Sequence, residues 1–312
     1  MEKYVLPLLI FLFFTSCSKE KRSDKKGEKM QDFVINLSNY AREIKPDFIV
    51  IPQNGAELAF NYMDENDGEH ASYLAAIDGI GIEELFYNGD YTPDEERLSM
   101  LRKLKNHTKI LVSEYVSDNS NIDDAVQKNL NEEFICFPRA QNNYDYLYIP
   151  NSVVHENTND ILKLADAQNY LYMISTGNYS SKQDFIQAVS NTNFDVIIMD
   201  LFFDENEFTS FDINQLKTKA NGGKRLVISY MNVGAAEKYR YYWQDGWRVG
   251  HPSWLKKKYD GYDDEIWVKF WKKDWTDIIY GDANSYTKKI INAGFDGAYL
   301  DNVEAFYFLY FD

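Results

Sequence analysis

The sequence predicts an α/β protein built as a single (β/α)8 TIM barrel, and three observations carry that reading. The chain has 312 residues, enough for one barrel domain of roughly 250 residues behind a short leader. Eight short β-branched or aromatic runs recur along it, continuously apolar in the manner of parallel strands buried on both faces. Helix-like stretches separate most of these runs, and strands alternating with helices fold as right-handed βαβ units. The composition, 45% hydrophobic with 16 Gly and 7 Pro, excludes a disordered or collagen-like chain. With 33 Lys+Arg against 49 Asp+Glu the net charge is -16, so a phosphate-tracking nucleic-acid binder is excluded as well.

The leader comes first. Lys3 precedes the apolar run Tyr4–Phe14, too short to span a bilayer as a mature helix, so residues 1–16 read as a signal peptide. Thr15 and Ser16 before Cys17 resemble a bacterial lipobox, which makes Cys17 the expected lipidation site and hydrophilic residues 17–30 a lipid-anchored tether. This lipoprotein reading places the protein at the cell envelope, periplasmic or cell-surface, held to the membrane through its N-terminal lipid anchor. An ordinary secretory signal with an incidental cysteine is the alternative. Apart from Cys17 only Cys136 remains, so no disulfide within the mature chain is expected beyond the anchor. Seven of the 33 basic and four of the 49 acidic residues lie in residues 1–30, which leaves a net charge of -19 on residues 31–312.

The barrel is expected over residues 31–312. A helix at Met30–Ile44 precedes the first strand and can fill the slot of an eighth helix, because little chain follows the last strand. The strands are Phe48–Pro52, Ile77–Phe86, Lys109–Val116, Glu133–Pro138, Tyr170–Ser175, Asp195–Phe202, Arg225–Asn232 and Gly297–Asp301. Helices are expected at Asp94–Lys105 behind Pro93, Asp123–Asn131, Asn159–Ala167, Ser181–Ser190 and Asp282–Ala293. A doubly wound open sheet is the competing architecture. Its phosphate turn would follow the first strand, and Ile51-Pro52-Gln53-Asn54-Gly55 cannot cradle a pyrophosphate. Between the seventh and eighth strands lies an excursion, residues 233–281, that contains all six tryptophans.

A barrel of this kind gathers its chemistry at the C-terminal ends of its strands. The polar residues there are Gln53, Asn54, Glu83, Glu114, Tyr115, Arg139, Asp200, Tyr230, Asn232, Asp301 and Asn302. Carboxylates facing each other across an aromatic cleft suit glycoside cleavage, where one acid protonates the leaving oxygen and another supports an oxocarbenium-like centre. The four histidines show no metal-site spacing, no G-x-S-x-G elbow occurs, and Cys136 sits in an apolar run, so no metal or other cofactor is expected. Asp263-Asp264-Glu265 reads as a solvated acidic loop.

Several blocks are specific. Ile228-Ser-Tyr-Met-Asn-Val-Gly-Ala-Ala-Glu-Lys-Tyr-Arg240, Tyr242-Trp243, Pro252-Ser-Trp-Leu255 and Gly294-Phe-Asp-Gly-Ala-Tyr-Leu-Asp-Asn-Val-Glu304 resemble the extracellular endo-α-1,4-polygalactosaminidases, glycoside hydrolase family 114, and their bacterial relatives. Ile51-Pro-Gln-Asn-Gly-Ala-Glu-Leu58 and Ile77-Asp-Gly-Ile-Gly-Ile-Glu-Glu-Leu-Phe-Tyr87 look like further blocks of those relatives, but precede the Gly-Phe-Asp-Gly block instead of following it, as in a circularly permuted barrel. The resemblance implies hydrolysis of α-linked galactosamine or N-acetylgalactosamine polysaccharide, with Asp301 as nucleophile or its electrostatic equivalent and Glu83 as general acid/base. Asp200, Glu237, Arg240, Trp243, Trp254, Tyr299 and Glu304 join the strand-end residues as expected substrate contacts. Relatives usually carry a glutamate where Ala235 stands, and that departure keeps a non-catalytic carbohydrate-binding lipoprotein as the alternative.

Overall fold

The computed structural model describes residues 8–311 apart from 143 and 145, with side chains from residue 23 to 309. Residues 1–7 of the expected leader and the side chain of Cys17 lie outside the described residues. All eight expected strands form: β1 Ile49–Pro52, β2 Gly79–Tyr91, β3 Lys109–Val116, β4 Ile135–Arg139, β5 Tyr170–Met173, β6 Val196–Asp200, β7 Leu226–Asn232 and β8 Gly297–Asp301. They pair in two parallel sheets, a five-stranded one in the order β1-β8-β7-β6-β5 and a three-stranded one in the order β2-β3-β4.

The two sheets touch at both edges, with different strength. Between β1 and β2 there is a parallel bridge, Gln53 to Gly81, reinforced by Asp78 N donating to Val50 O at 2.9 Å and Asn54 N to Gly81 O at 2.6 Å. Between β4 and β5 only side chains meet, the Phe137 and Tyr170 rings lying 5.6 Å apart. Among the described residues no ladder closes this edge, so the expected closed barrel is found as an α/β fold of two parallel sheets. The chain between β4 and β5 supplies the reason. Its expected helix, Asn159–Ala167, is absent apart from a 3-10 turn at Leu164–Asp166. Ile161 N donates to Lys224 O at 3.0 Å and Asp160 accepts from Lys224 N at 2.8 Å, so this segment is bonded to the strand-β7 approach instead of coiling. Without that crossover helix nothing draws β4 and β5 into register.

The remaining helices sit where the sequence places them. Asp94 caps the helix Glu95–Leu104, Ser181 the helix Lys182–Ser190, and Ser285 the helix Tyr286–Asn292, each side chain accepting from a backbone N–H three residues on. The first and last described helices differ from expectation. The first, α1, runs from Leu8 to Ile44 and so includes the expected tether. Met30, Phe33, Val34, Leu37 and Ala41 form its buried stripe, and from Ser23 onward it already lies on the body, with Lys26 Nζ 3.9 Å over the Trp271 ring. Among the described residues no helix is long and apolar enough to cross a membrane. The last is a helix after β8, Ala305–Phe311, which packs on α1.

Two features hold the strands in place. Beneath the sheet, Lys219 and Asp195 form an ion pair of 2.9 Å with both side chains fully buried, and Asp195 also accepts from Asn157 and Gln168 N. In the interior, Gly81 of β2 lies against Tyr299 of β8, where a Cβ would overlap the tyrosine hydroxyl and ring. Gly79-Ile80-Gly81 therefore serves close packing between the two sheets. Gly81→Ala is expected to lower stability by about 1–3 kcal/mol through overpacking, read from the urea midpoint, whereas an unchanged midpoint would show that the Tyr299 ring has room to move. Lys219→Met, which strands a buried carboxylate, is expected to cost about 3–5 kcal/mol in the same measurement.

Candidate active site

The C-terminal ends of the strands open into a cleft of about 630 Å3, within the usual range for a ligand site. Strand parity places its polar residues, because alternate side chains of each strand share a face. Tyr299 and Asp301 therefore lie one above the other on β8, and Gly81 and Glu83 do so on β2. The residue after each strand-end group turns left-handed: Asn54 follows Gln53 at φ 59, Glu84 follows Glu83 at φ 56, and Asn302 follows Asp301 at φ 62. Asparagine tolerates this conformation, whereas Glu84 bears strain. Arg97 holds that turn by donating to Glu83 O at 2.7 Å and Glu84 O at 2.8 Å.

Each central carboxyl is held by a tyrosine. Asp301 accepts from Tyr230 Oη at 2.6 Å and from Asn302 N at 2.7 Å. Glu83 accepts from Tyr146 Oη, and its own N–H donates to Asn54 Oδ1 at 3.2 Å. Tyr146 stacks on Tyr172 at 3.9 Å, and Tyr172 donates to Gln53 Oε1 at 3.0 Å. Behind this wall Arg139 pairs with Glu84 at 2.6 Å, its guanidinium 5.2–5.5 Å from the rings of Tyr115, Tyr144 and Tyr146. On the opposite side Arg240 grips Asp200 through two bonds of 2.9 and 2.6 Å and Glu237 through two of 2.7 and 3.2 Å.

Burial sets the protonation of the cleft. It pushes the Asp301 carboxyl up to about 7, with the Glu83 charge adding to the rise and the Tyr230 bond opposing it. Glu83 is raised too, chiefly by burial and against its bonds from Tyr146 and Gln53. Burial followed by the Glu237 and Asp301 charges lifts Glu265 to about 8, and burial followed by Glu57 lifts Glu304 to about 8. Several carboxyls thus share one low-dielectric cleft whose lining, among the described residues, contains a single cation, Arg240, already bound to two carboxylates. Among the described residues no cluster suits a metal ion.

Comparison with known proteins gives this cleft a context. The model of the glycoside-hydrolase family GH114 matches residues 156–308, which run from ahead of β5 through the tryptophan-rich excursion and β8. This half of the chain belongs to the family. An uncharacterized protein of Methanocaldococcus jannaschii is 32% identical over 151 residues, 48% of this chain and 41% of that protein. Uncharacterized proteins of Deinococcus radiodurans and Thermotoga maritima are 34% identical over 124 residues and 30% over 118, covering 40% and 38% of this chain and 38% and 35% of theirs. The chain therefore spans less than half the length of the curated relatives it matches.

In this chain the cleft gathers nine of the expected residues: Gln53, Asn54, Glu83, Asp200, Tyr230, Arg240, Asp301, Asn302 and Glu304. Others lie elsewhere, for identifiable reasons. Glu114 is fully buried and accepts from Phe86 N, Tyr87 N and Asn129, holding the irregular end of β2 and leaving no free face for substrate. Tyr115 packs on Arg139 behind the wall. Tyr299 forms the floor beneath Asp301, wholly buried. Asn232 and Glu237 are buried supports, Asn232 donating to Glu265 at 3.0 Å. Trp243 and Trp254 do not line the cleft, nor does any other tryptophan. Trp254 and Trp275 are core, and Trp267 stacks under Tyr259 at 4.1 Å.

Tyrosines take the place expected of the indoles. Seven of them, Tyr144, Tyr146, Tyr172, Tyr230, Tyr239, Tyr259 and Tyr262, line the cleft. Sequence reasoning named only Tyr230, and the excess of 24 tyrosines was the available signal. The excursion forms a three-stranded antiparallel sheet of Ala235–Glu237, Leu255–Tyr259 and Tyr262–Val268. The strand Tyr262–Val268 carries Asp263, Asp264 and Glu265 onto the cleft wall, so the acidic segment expected as a solvated loop borders the site.

The raised carboxyls predict an unusual pH dependence of stability. Free carboxyls ionise near pH 4, so between about pH 4 and 8 the folded chain holds protons on Asp301, Glu265 and Glu304 that the unfolded chain has released. Stability contributed by these groups falls as pH rises through that window. The thermal midpoint is expected to decline from pH 5 to 8.5, and Glu304→Gln to flatten the decline. A midpoint that rises across this range in the unsubstituted protein would contradict the protonation of the cleft.

Proposed function

We propose that the protein is a glycoside hydrolase that cleaves α-linked galactosamine or N-acetylgalactosamine polysaccharide through Asp301 and Glu83. One observation carries the reading: two half-buried carboxyls from strands that flank β1 line the same tyrosine-walled cleft, each aligned by a tyrosine hydroxyl. The GH114 match supports the reaction class. The GH114 match begins after β4, so Glu83 rests on the Asp-Gly-Ile-Gly block and on its position opposite Asp301. The neighbourhood of β8, β1 and β2 in the sheet is also what a permuted ring would give.

The surroundings of the two carboxyls support a division of roles between them. Glu83, raised by burial, carries the proton to deliver to the glycosidic oxygen as the C1–O bond breaks. Asp301, turned into the cleft by Tyr230 and Asn302, lies where positive charge develops at C1, as nucleophile or as electrostatic support. Water then adds at C1 and returns the proton to Glu83. Tyrosine faces can take the apolar sides of sugar rings, and the surplus of carboxyls favours a cationic, partly deacetylated amino sugar over a uronic acid. Binding of such a sugar would help Asp301 ionise, since a nearby positive charge favours the carboxylate.

Attachment to the cell envelope through lipidated Cys17 belongs to the same proposal and rests on the Tyr4–Phe14 run and the Thr15-Ser16-Cys17 order. One observation favours the second reading, carbohydrate binding without cleavage. Ala235, where relatives carry a glutamate, is fully buried and paired with Trp267 and presents no carboxyl to the cleft.

Reducing-end release from a partly deacetylated galactosamine polymer separates the two readings. Cleavage is expected, with Asp301→Asn and Glu83→Gln each lowering it by about 10²–10⁴-fold while the fold is kept. Unchanged activity in either variant would remove that residue from the mechanism, and binding without any release would establish the second reading. High salt is expected to weaken binding of the deacetylated polymer more than that of its fully acetylated form. Equal, salt-insensitive binding would discard the cationic substrate.

A further inference from the structure

A second concavity, of about 610 Å3, lies on the excursion away from the carboxyl cleft. Tyr241, Tyr242, Trp243, Trp247 and Trp254 form its aromatic walls. The indoles meet edge to face, Trp243 on Trp247 at 5.4 Å and 72°, Trp247 on Trp254 at 5.0 Å and 87°. That arrangement makes a corner, with ring faces turned in two directions. Trp254 is anchored in the core against Trp275 at 5.2 Å, while Trp243 and Trp247 stay half-buried. Among the described residues Pro252 and Ile278 are the only other apolar ones of the lining, too few for the continuous aliphatic trough that an acyl chain or an apolar helix requires.

The polar complement points to sugar. Gln244 and Asp274 border the groove, both are exposed, and among the described residues neither side chain makes a hydrogen bond. A pyranose ring presents an apolar C–H face to an aromatic plane and its hydroxyl or amino groups to such a rim. The groove also adjoins the cleft along the chain: Tyr239 and Arg240 line the cleft, and Tyr241 through Gln244 line the groove. Glu237 N donates to Tyr242 Oη at 3.0 Å, which joins the groove wall to the Arg240–Glu237 pair of the cleft.

We infer that this groove is a second carbohydrate-binding site, which takes a further stretch of the same hexosamine polymer that enters the cleft. The identity of the ligand rests on the reading proposed above; the groove itself rests on its own residues. Holding one polymer at two places raises the effective concentration of its sugars at the cleft, so the groove matters for long chains and little for short ones.

Affinity electrophoresis in gels containing a partly deacetylated galactosamine polymer tests this, with Asp301→Asn protein as the parent. Adding Trp247→Ala is expected to weaken polymer binding about tenfold, the scale of one lost aromatic contact in a shared site. Adding Gln244→Ala with Asp274→Ala, both exposed and safe for the fold, is expected to weaken it severalfold. In the protein with Asp301 intact, either change should raise KM for the polymer and leave turnover of a short oligosaccharide within twofold. Polymer binding unchanged in both variants would overturn the groove, as would binding of no polymer by the parent. Groove-dependent binding without hydrolysis by the unsubstituted protein would sink the hydrolase reading and leave the groove standing. Hydrolysis with groove-independent binding would do the reverse.

Discussion

The contact between Gly81 and Tyr299 governs how the two catalytic candidates meet. Tyr299 lies one layer below Asp301, and Gly81 lies one layer below Glu83. Because glycine leaves no side chain there, the tyrosine ring fills the interior from β8 to β2 across β1. The two strand ends above are thereby set at a fixed approach, which a larger residue at 81 would widen. A close-packed interior transmits such a change directly, since it has no slack to absorb it. Bridge, ring and glycine together tie the three-stranded sheet to the five-stranded one on the side where the carboxyls stand. At the opposite edge, between β4 and β5, the Phe137 ring meets that of Tyr170 and, among the described residues, no ladder forms.

Above that floor, tyrosines solve an electrostatic problem. Several carboxyls in one low-dielectric cleft repel one another, and the only cation among the described residues of the lining is spent on Asp200 and Glu237. Protonation relieves part of the repulsion, and phenol donors relieve more: Tyr230 for Asp301, Tyr146 for Glu83, Tyr239 for Glu237 at 2.6 Å. A phenol orients a carboxyl without cancelling its charge, as an arginine would. The carboxyls therefore remain responsive to a charge that arrives with a ligand. Arg139 acts from behind, through Glu84 and three tyrosine rings, and shapes the wall without entering it.

The excursion between β7 and β8 works on both of its sides. Its sheet carries Tyr259, Tyr262 and Glu265 to the cleft, and its indoles pack beneath and behind, so that Trp267 supports Tyr259 from below. Large rings make a rigid wall at low entropic cost, which a long loop needs if it is to hold a site. Their clustering in sequence thus has a structural use even where they touch no cleft.

The eight strands were legible in the sequence, because a parallel strand buried on both faces must be continuously apolar, and the acids at their ends stood out against those runs. Asp301, Glu83, Asp200 and Arg240 were found that way or through family blocks. The helix at Asn159–Ala167 was not forbidden by its composition. It was lost to backbone bonds with Lys224, some sixty residues away, that no local pattern encodes. Tertiary structure alone decided that Glu114 turns inward to hold β2, that Asp263–Glu265 borders the cleft, and that tyrosines rather than tryptophans face it. Periodicity tells which residues of a strand share a face, since that depends on neighbours in the chain. Which face a loop turns to the cleft depends on what it packs against, and those partners lie far away in sequence.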